Sequence, residues 1–408
     1  MNQWAGSRAG RVTIVVVLAL VALGGHLWYG LRNHFFDLMI YRDAMLWWSD
    51  GHPLYDFAKP DATQGQLGFT YPPVGAYLLR PLAWLTATQA KVLFVGLAVA
   101  ALAASIWWLV RPIADKHQWP RWFTFGIAFI LATGLEPIRL AFDFGQINFV
   151  LWALIVFDLA VLAPRRSRYF GIGIGLATAI KLIPGIFILY LLVTRRWRAF
   201  FVSVGVAVGA TLVAAAFDPS ASATFWTEKL LHSDGVGQLD YVMNQSLNGL
   251  LARLSGGEPS TVVWLVLALP VLGYGMFRAR QAYLAGDDVA GMALTGFTGS
   301  LVSPVTWGHH IFWFVPALLV LVDAYASTRR RAYLWIAVFT YATVTFSMLQ
   351  WWDFTLQRPG GPVGFVLSNW LVLLMLVLLA VLPTRPAKIP LTSDLTGEKV
   401  KFPWRIHR

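Results

Sequence analysis

The stretch NHFFDLMIYRDAMLWWSDGHPLYDFAKP, residues 33–60, follows the first long apolar segment of the chain, residues 12–29. It carries four Asp, two His and seven aromatic residues, so it is too polar to enter hydrocarbon and too aromatic to be a free loop. This composition is typical of a helix that lies at a membrane surface. We therefore predict an interfacial helix followed by an ordered turn in the first loop of a membrane protein.

A helix over residues 37–49 would place Asp37, Tyr41 and Trp48 on one face. Asp43 would lie roughly 120° away at about 3.6 residues per turn. This spacing singles out Asp37 as a candidate catalytic base at the outer membrane face. The spacing is equally compatible with Asp37 acting only as the N-cap of the helix.

The composition places the whole chain in a membrane. Of its 408 residues, 57% are hydrophobic and 13% are charged, which predicts an all-α polytopic membrane protein. The 20 Trp and 27 Phe residues exceed what spans need, so we expect aromatic belts and an apolar groove that can hold lipid. The chain has no cysteine, which excludes disulfides, iron–sulfur clusters and thiolate zinc sites.

The charge distribution predicts the topology. Segments that alternate with outer loops hold 22 of the 32 Lys and Arg residues but six of the 20 Asp and Glu residues, and we assign them to the cytoplasm. The net charge of +12 therefore reports orientation in the plasma membrane and indicates no nucleic-acid partner. We expect a retained first span, cytoplasmic N- and C-termini and an acidic, functional periplasmic face. Two charged residues, Asp158 and Lys181, remain inside spans.

We expect one membrane domain, residues 1–383, with outer loops 31–88 and 218–261, and a basic cytoplasmic tail, residues 384–408. Apolar cores of spans after the first are expected at residues 91–110, 123–135, 147–162, 199–217, 262–276, 290–302, 311–321, 334–349 and 363–382.

The basic segments PRRSR (164–168) and RRWR (195–198) should both be cytoplasmic, but about 26 residues between them are too few for two spans. We therefore predict a re-entrant or broken helix pair around Lys181–Pro184, where proline removes a helical hydrogen bond. An unpaired lysine at membrane depth costs about 2.5–3.5 kcal/mol, so Lys181 should face a polar cavity or an anionic ligand. Alternatively, it reaches an interface with its long side chain.

Other outer segments supply further candidates. In LEPIRLAFDFGQINFVLWAL, the guanidinium of Arg139 suits phosphate, and the amides of Gln146 and Asn148 suit hydroxyl-rich ligands. The alternative is a capped helix end with a surface ion pair. In the loop 218–261, three amides resemble a recognition strip for an acceptor or, equally, a set of helix caps. They are Asn244, Gln245 and Asn248.

The adjacent His309 and His310 point about 100° apart on a helix, so one of them contacting a phosphate is more plausible than a shared metal. A metal site is conceivable in the loop 218–261, but its spacing is not decisive, and we expect no metal. Its members would be Glu228, His232, Asp234 and Asp240, together with Asp37. The chain contains no nucleotide-binding motif, so we expect a lipid-linked substrate and no cofactor.

Six segments in order resemble a known family. They are FFDLMIYRDAMLWW with GHPLYDF, FTYPPVGAYLLRPLAWL, FGQINFVLWAL, ATAIKLIPGIFILYLL with RRWRA, NQSLNGLL and SPVTWGHHIFWF. Together they resemble the GT-C glycosyltransferases that use polyprenyl-phosphate sugars, in the actinobacterial branch of phosphatidylinositol-mannoside α-1,2-mannosyltransferases. The likeness runs over about residues 12–382 and leaves out the tail.

The resemblance implies a bundle of about 10–12 transmembrane helices with the active site in the periplasm. It implies that Asp37 is the general base, that Lys181 and one of His309 or His310 lie near the donor phosphate, and that Gln146 and Asn148 lie near the sugar. Asp43 is the main rival base, and Tyr41 and Asp43 are candidate contacts for the sugar or acceptor. The donor would be polyprenyl-phosphate mannose, the acceptor a phosphatidylinositol mannoside, and the reaction an inversion to an α-1,2 linkage.

Three alternatives remain open at this point. The same fold could transfer arabinose, or it could add mannose branches to lipomannan, because nothing in the sequence identifies the transferred sugar. A flippase or transporter of lipid-linked sugars would favour charges spread through the spans, which are few here. A non-catalytic scaffold is disfavoured by the outer carboxylates and amides.

Overall fold

The structure, a computed structural model, describes residues 7–61, 65–230, 237–257, 259–346 and 361–384. The predicted tail lies outside the described residues except for residue 384. The chain begins with helix α1 (Arg8–Tyr29). The first outer loop then forms helix α2 (Phe36–Ser49) and an antiparallel hairpin of β1 (Ala58–Asp61) and β2 (Gly65–Gly68). The predicted interfacial helix is present, whereas the hairpin was not predicted.

Helices make up nearly all of the remaining regular structure in the described ranges. In chain order they are α3 (Pro73–Leu79), α4 (Ala87–Lys116), α5 (Arg121–Gly134), α6 (Glu136–Phe144), α7 (Asn148–Phe157), α8 (Ile172–Ile180), α9 (Ile186–Val193), α10 (Trp197–Phe217), α11 (Pro219–Thr224), α12 (Leu247–Ser255), α13 (Thr261–Leu284), α14 (Asp288–Val302), α15 (Phe314–Thr328), α16 (Arg331–Thr345), α17 (Gly361–Ser368) and α18 (Trp370–Val381). A π-helical turn, Asp158–Leu162, continues α7.

Four of these helices, α1, α4, α10 and α13, are long and apolar enough to cross a membrane. Two bent pairs, α5 with α6 and α17 with α18, also qualify if each counts as one span, and each bends by 69°. Helices α7, α9 and α15 lie within shorter apolar segments. The predicted all-α polytopic class is confirmed. The number of 10–12 spans stays a prediction, because length and composition identify four to six in the described part.

The predicted break at Lys181–Pro184 is present. Helix α8 ends at Lys181, whose backbone is extended (φ −150°, ψ 130°), and Pro184 follows inside a 3₁₀ turn, Ile183–Gly185. Helix α9 then continues to Val193. The interruption sets the lysine side chain at the junction of two short helices.

The core centres on α14, in which 12 of 15 residues are buried. Its small residues allow close packing, since a Cβ at Gly296 would lie 2.0 Å from the ring of Trp313. A rigid α14 fixes the start of the segment 303–310, which carries both candidate histidines.

Candidate active site

A cavity of about 1140 Å³ lies between the first outer loop, the helix break and the segment that joins α14 to α15. Its polar wall includes Asp37, Gln146, Lys181, His309 and His310. Its apolar wall includes Ile40, Leu67, Phe69, Phe144, Leu182, Ile183, Phe225, Met243, Trp264 and Val305. Such a mixed lining suits an amphiphilic ligand with a polar head.

The Asp37 carboxylate faces this cavity, and about one fifth of the side chain is exposed, 20%. Gln146 donates a hydrogen bond from Nε2 to its Oδ2, and Nε2 of His309 lies 3.9 Å from the same oxygen. The N-cap of α2 is Phe35, and no side chain caps that helix. The interpretation of Asp37 as an N-cap is therefore wrong, and its Oδ1 has no hydrogen bond among the described residues.

Burial raises the pKa of the Asp37 carboxyl to about 7. The hydrogen bond from Gln146 and the charge of Lys181 lower it, but they do not offset the loss of hydration. A carboxyl group that titrates near neutral pH combines sufficient basicity with a large ionised fraction. These are the properties of an effective general base.

Asp143, near the end of α6, holds the turn that leads into α2. Its carboxylate accepts hydrogen bonds from the backbone N–H of Arg32 at 3.2 Å and from the backbone and side-chain nitrogens of Asn33 at 2.9 and 2.7 Å. Its carbonyl oxygen accepts from the N–H of Phe35 at 2.7 Å. His34 and Phe35 both have positive φ, 50° and 63°, which is unfavourable for residues with a Cβ. Asp143 thus stabilises a strained turn two residues before Asp37.

Gly145 brings α6 against α2, because a Cβ there would lie 2.7 Å from Cβ of Leu38. Its φ of 69° also favours glycine. The next residue, Gln146, can therefore reach Asp37 with its amide nitrogen. The Gln146 carbonyl oxygen accepts a hydrogen bond from the hydroxyl of Tyr41 at 3.1 Å, which fixes which end of the amide faces the carboxylate.

Lys181 lies among neutral groups. Its ammonium donates to the hydroxyl of Tyr71 at 3.2 Å and to Oδ1 of Asn148 at 3.1 Å, and it lies 3.2 Å from Nε2 of His310. The hydroxyls of Tyr71 and Tyr41 are 2.6 Å apart, so one network joins the lysine to the Asp37 side of the cavity. No ion pair among the described residues includes Lys181. A cation without a carboxylate partner is suited to bind an anionic ligand.

The two histidines lie in one 3₁₀ turn, Gly308–His310, with ring planes 87° apart. Nε2 of His309 is 3.0 Å from Nε2 of Gln146, so a neutral His309 accepts from the amide. His310 faces Lys181 instead. The sequence treated them as alternatives, whereas in the structure both line the cavity, with ring centres 4.7 Å apart and different partners.

Two predicted residues lie elsewhere. Asp43 forms an ion pair with Lys59 of β1 at 2.8 Å, on a different side of α2. Arg139 donates to the carbonyl oxygen of Thr345 at 2.8 Å and lies 4.9 Å from the ring centre of Tyr29. Neither lines the cavity. Asp43 as a rival base or sugar contact and Arg139 as a phosphate ligand therefore stay predictions, and the position of both side chains outside the cavity does not favour them.

The predicted strip of three amides divides into two groups. Oδ1 of Asn244 accepts from the N–H of Thr306 at 3.0 Å, and Nε2 of Gln245 donates to the carbonyl oxygen of Ser368 at 2.8 Å. Both side chains are fully buried, hold the outer loop to its neighbours and lie outside the cavity, so their contact with an acceptor stays a prediction that the geometry does not favour. Asn248 lines the cavity and remains a candidate.

The sequence interpretation missed two residues of the site. Tyr71 was quoted only within the motif FTYPP, yet its hydroxyl links Lys181 to Tyr41. The two prolines after it restrict the backbone, which could have indicated a rigidly held hydroxyl. Asp143, which holds the turn before Asp37, was likewise quoted only within a segment. Its partner Asn33 lies 110 residues away, and no local pattern points to it.

The conceivable metal site cannot be followed in full, because His232 and Asp234 lie outside the described residues. Within the described part of the chain, no group of three or more His, Asp or Glu side chains is placed to hold a metal ion. Independence from metal stays a prediction, as does independence from any cofactor.

Residues 69–304, more than half of the chain, match the family described as Glycosyltransferase family 87. The chain belongs to glycosyltransferase family 87. The predicted enzyme class is thereby confirmed. The matched region contains Gln146 and Lys181, whereas Asp37, His309 and His310 lie outside it.

Two similar proteins are named polyprenol-phosphate-mannose-dependent alpha-(1-2)-phosphatidylinositol mannoside mannosyltransferase. The protein from Mycolicibacterium smegmatis is 34% identical over 83% of this chain and 81% of the relative. The protein from Mycobacterium tuberculosis is 34% identical over 79% of this chain and 80% of the relative. A third relative, from Mycobacterium tuberculosis, is named as a phosphatidylinositol pentamannoside mannosyltransferase and is 28% identical over 78% of this chain and 74% of its own length. No solved structure matches the chain at a significant level of similarity.

Proposed function

We propose that this glycosyltransferase moves mannose from polyprenyl-phosphate mannose to a mannose hydroxyl of a phosphatidylinositol mannoside, forming an α-1,2 linkage. Relatives that share 34% identity carry this donor, linkage and acceptor in their names. The observation that carries the proposal is one cavity lined by the Asp37 carboxylate and by the Lys181 ammonium, which forms no ion pair among the described residues. A base and a phosphate ligand are thus available to one bound sugar phosphate.

The donor would bind with its phosphate at the lysine side of the cavity. Lys181 would donate to phosphate oxygens, and His310 and the hydroxyl of Tyr71 lie within 3.2 Å of its ammonium and could join it. The polyprenyl chain would lie against the apolar wall, whose area of aromatic and aliphatic side chains suits a long hydrocarbon. The sugar would then project toward Asp37 and Gln146.

The reaction is a single displacement. The acceptor hydroxyl attacks the anomeric carbon, the bond from that carbon to the phosphate oxygen breaks, and the phosphate leaves with the electron pair. Asp37 takes the hydroxyl proton. Attack from the side opposite the phosphate inverts a β donor to an α product, and one carboxylate base is sufficient for it.

Positive charge beside the leaving group lowers the barrier, because the phosphate gains negative charge as the bond breaks. Lys181 meets this requirement without displacing a carboxylate partner. Gln146 would hold the Asp37 carboxylate in place by donating a hydrogen bond to it. His309 accepts a second hydrogen bond from the same amide nitrogen. This chemistry requires no cofactor other than the lipid-linked donor.

The charge distribution of the sequence supports a periplasmic active site with both termini in the cytoplasm. Polyprenyl-phosphate mannose would then reach the cavity from the outer leaflet. The single domain over residues 1–383 and the cytoplasmic tail remain part of this proposal.

The test supplies purified protein in lipid vesicles with radiolabelled polyprenyl-phosphate mannose and a phosphatidylinositol mannoside. We expect a labelled glycolipid whose new mannose is released by an α-1,2-specific mannosidase. Polyprenyl-phosphate arabinose is offered in parallel, and transfer of arabinose alone would overturn the proposed donor. Movement of labelled donor across the bilayer without any new glycolipid would indicate a flippase instead.

Acceptor length is tested in the same assay. Relatives with 34% identity are named for phosphatidylinositol mannoside and those with 28% for the pentamannoside. A series of acceptors with one to five mannose units should show highest kcat/KM on a member shorter than the pentamannoside. A maximum at the pentamannoside would place this enzyme with the second group.

A further inference from the structure

A second pocket, of about 380 Å³, lies at the end of the molecule away from the catalytic cavity. Helix α7 begins at Asn148, which accepts a hydrogen bond from Lys181 of the catalytic cavity, and with its π-helical turn it runs to Leu162, about 20 Å at roughly 1.5 Å per residue. Ala163, the next residue, lines the second pocket. The two pockets therefore lie at opposite ends of this helical segment.

Three arginines line the second pocket, Arg166, Arg196 and Arg198, and we call it the arginine pocket. No acidic side chain lines it. Arg196 forms an ion pair with Asp288. In the part of the chain that the structure describes, no hydrogen bond or ion pair engages the side chains of Arg166 and Arg198, which are both exposed. Two positive charges are thus concentrated at a concave site without internal compensation.

The backbone of α10 adds to this positive potential. Arg196 is the N-cap of α10, and its side chain does not cap the helix. The first three residues of the helix, Trp197, Arg198 and Ala199, line the pocket. Free N–H groups and the positive end of the helix dipole therefore face the same space as the arginines.

The pocket lies at the level of lipid headgroups. Trp197 lines it and is 51% exposed, and Tyr169 on the neighbouring loop is 50% exposed, as in the aromatic belts at membrane interfaces. Beyond the pocket, α10 exposes apolar side chains, including Phe201 at 65% and Leu212 at 64%. A ligand with an anionic head at the arginines and hydrocarbon along α10 would match both surfaces.

We propose that the arginine pocket binds the phosphate of an anionic phospholipid whose acyl chains lie along α10. Guanidinium groups bind phosphate through paired hydrogen bonds, and basic pockets between membrane helices bind anionic headgroups. The proposal is independent of the sugar that the enzyme transfers, because the two pockets share no residue.

The test is native mass spectrometry of the full-length protein titrated with phosphatidylglycerol or with phosphatidylcholine. We expect preferential retention of phosphatidylglycerol. The double variant Arg166→Gln with Arg198→Gln should lower its apparent affinity about 30-fold, because each guanidinium would lose its charge-assisted hydrogen bonds to the lipid phosphate. Both side chains are exposed, so folding should be unaffected, which size-exclusion chromatography verifies.

The matched control is Arg165→Gln with Arg168→Gln. It removes the same charge near the pocket, but neither residue lines it. We expect its affinity for phosphatidylglycerol to fall less than about fivefold, because this variant weakens only the general attraction between positive charge and an anionic lipid. Equal losses in the two double variants would overturn the proposal, since they would show attraction without a site. Displacement of phosphatidylglycerol by millimolar inorganic phosphate would show that a free anion suffices, and it would overturn the assignment to lipid.

Discussion

The two ends of α8 hold the two charged residues that the sequence placed inside membrane spans. At the first end, the fully buried carboxylate of Asp158 accepts a hydrogen bond from the N–H of Ile174 at 2.8 Å. At the other end, Lys181 contacts neutral groups and faces a large cavity. Both charges are unfavourable at membrane depth, yet only one of them is left open to a ligand.

The difference lies in how each charge is stabilised. Gly173 allows α8 to approach the preceding helix, since a Cβ there would lie 2.4 Å from the carbonyl oxygen of Leu154 and 3.2 Å from the Asp158 carboxyl carbon. The carboxylate can therefore sit at the N-terminus of α8, where backbone N–H groups lack helical partners. Lys181 has no comparable fixed counter-charge. A charge inside the membrane thus indicates function only when a cavity adjoins it.

The largest expected loss of activity comes from replacing Asp37, the proposed base, which lines the same cavity as Lys181. Asp37→Asn keeps the size of the side chain but removes its ability to accept a proton. We expect kcat to fall about 1000-fold, within the range that a general base contributes. The measurement is transfer of radiolabelled mannose under single-turnover conditions with saturating donor.

The control for that variant is Asp43→Asn. Asp43 lies six residues further along the same helix, and its carboxylate pairs with Lys59 and does not line the cavity. Its transfer rate should stay close to that of the unaltered enzyme. If Asp43→Asn abolished transfer while Asp37→Asn did not, the roles of the two residues would be reversed.

Replacing Lys181, which follows the C-terminal end of α8, tests whether this residue binds the donor phosphate. Lys181→Met should lower kcat/KM for the donor about 100-fold, because one group that stabilises the charge on the leaving phosphate is removed. The KM for the acceptor should change little, since the acceptor would bind at the Asp37 side. Steady-state kinetics with each substrate varied in turn separate the two effects. Unchanged donor kinetics would show that the lysine is structural, like Asp158.

The pH dependence tests the cavity environment. Because burial raises the pKa of Asp37 to about 7, the carboxyl group is protonated below that pH and cannot act as a base. We expect kcat/KM to rise about tenfold between pH 6 and pH 8 and to level off above. A rise centred near pH 4 would mean that the carboxylate is well hydrated in the working enzyme. The residual activity of Asp37→Asn should lack this step.

Features that depend on spacing along the chain could be predicted, and features that depend on distant partners could not. The break at Lys181 followed from two basic segments too close together for two spans, and the candidate base followed from the periodicity of one helix. For Asn244 and Gln245 the sequence left two roles open, because exposed and buried amides look alike in a sequence. Their hydrogen-bond partners, at Thr306 and Ser368, lie 62 and 123 residues away.

The hairpin in the first outer loop was missed for a different reason. Its strands are four residues long and contain proline and several glycines, which are depleted in strands. Asp43 was kept as a rival base because its partner Lys59 lies within that hairpin. Without the hairpin, the sequence offered no reason to remove Asp43 from the site.

The smallest expected change in activity comes from replacing Asp158, which caps the N-terminal end of α8. Asp158→Ala removes the acceptor for the N–H of Ile174, and the loss of a helix cap typically costs about 1–2 kcal/mol. The apparent melting temperature in detergent should fall, while transfer at low temperature stays near that of the unaltered enzyme. Asp158→Asn should restore much of the stability, because an amide oxygen can still accept the hydrogen bond.

Lys181→Met should show the opposite pattern, with transfer lost and stability kept, because it removes a buried charge that has no acidic partner. A loss of transfer in Asp158→Asn at full stability would show that both ends of α8 serve the reaction.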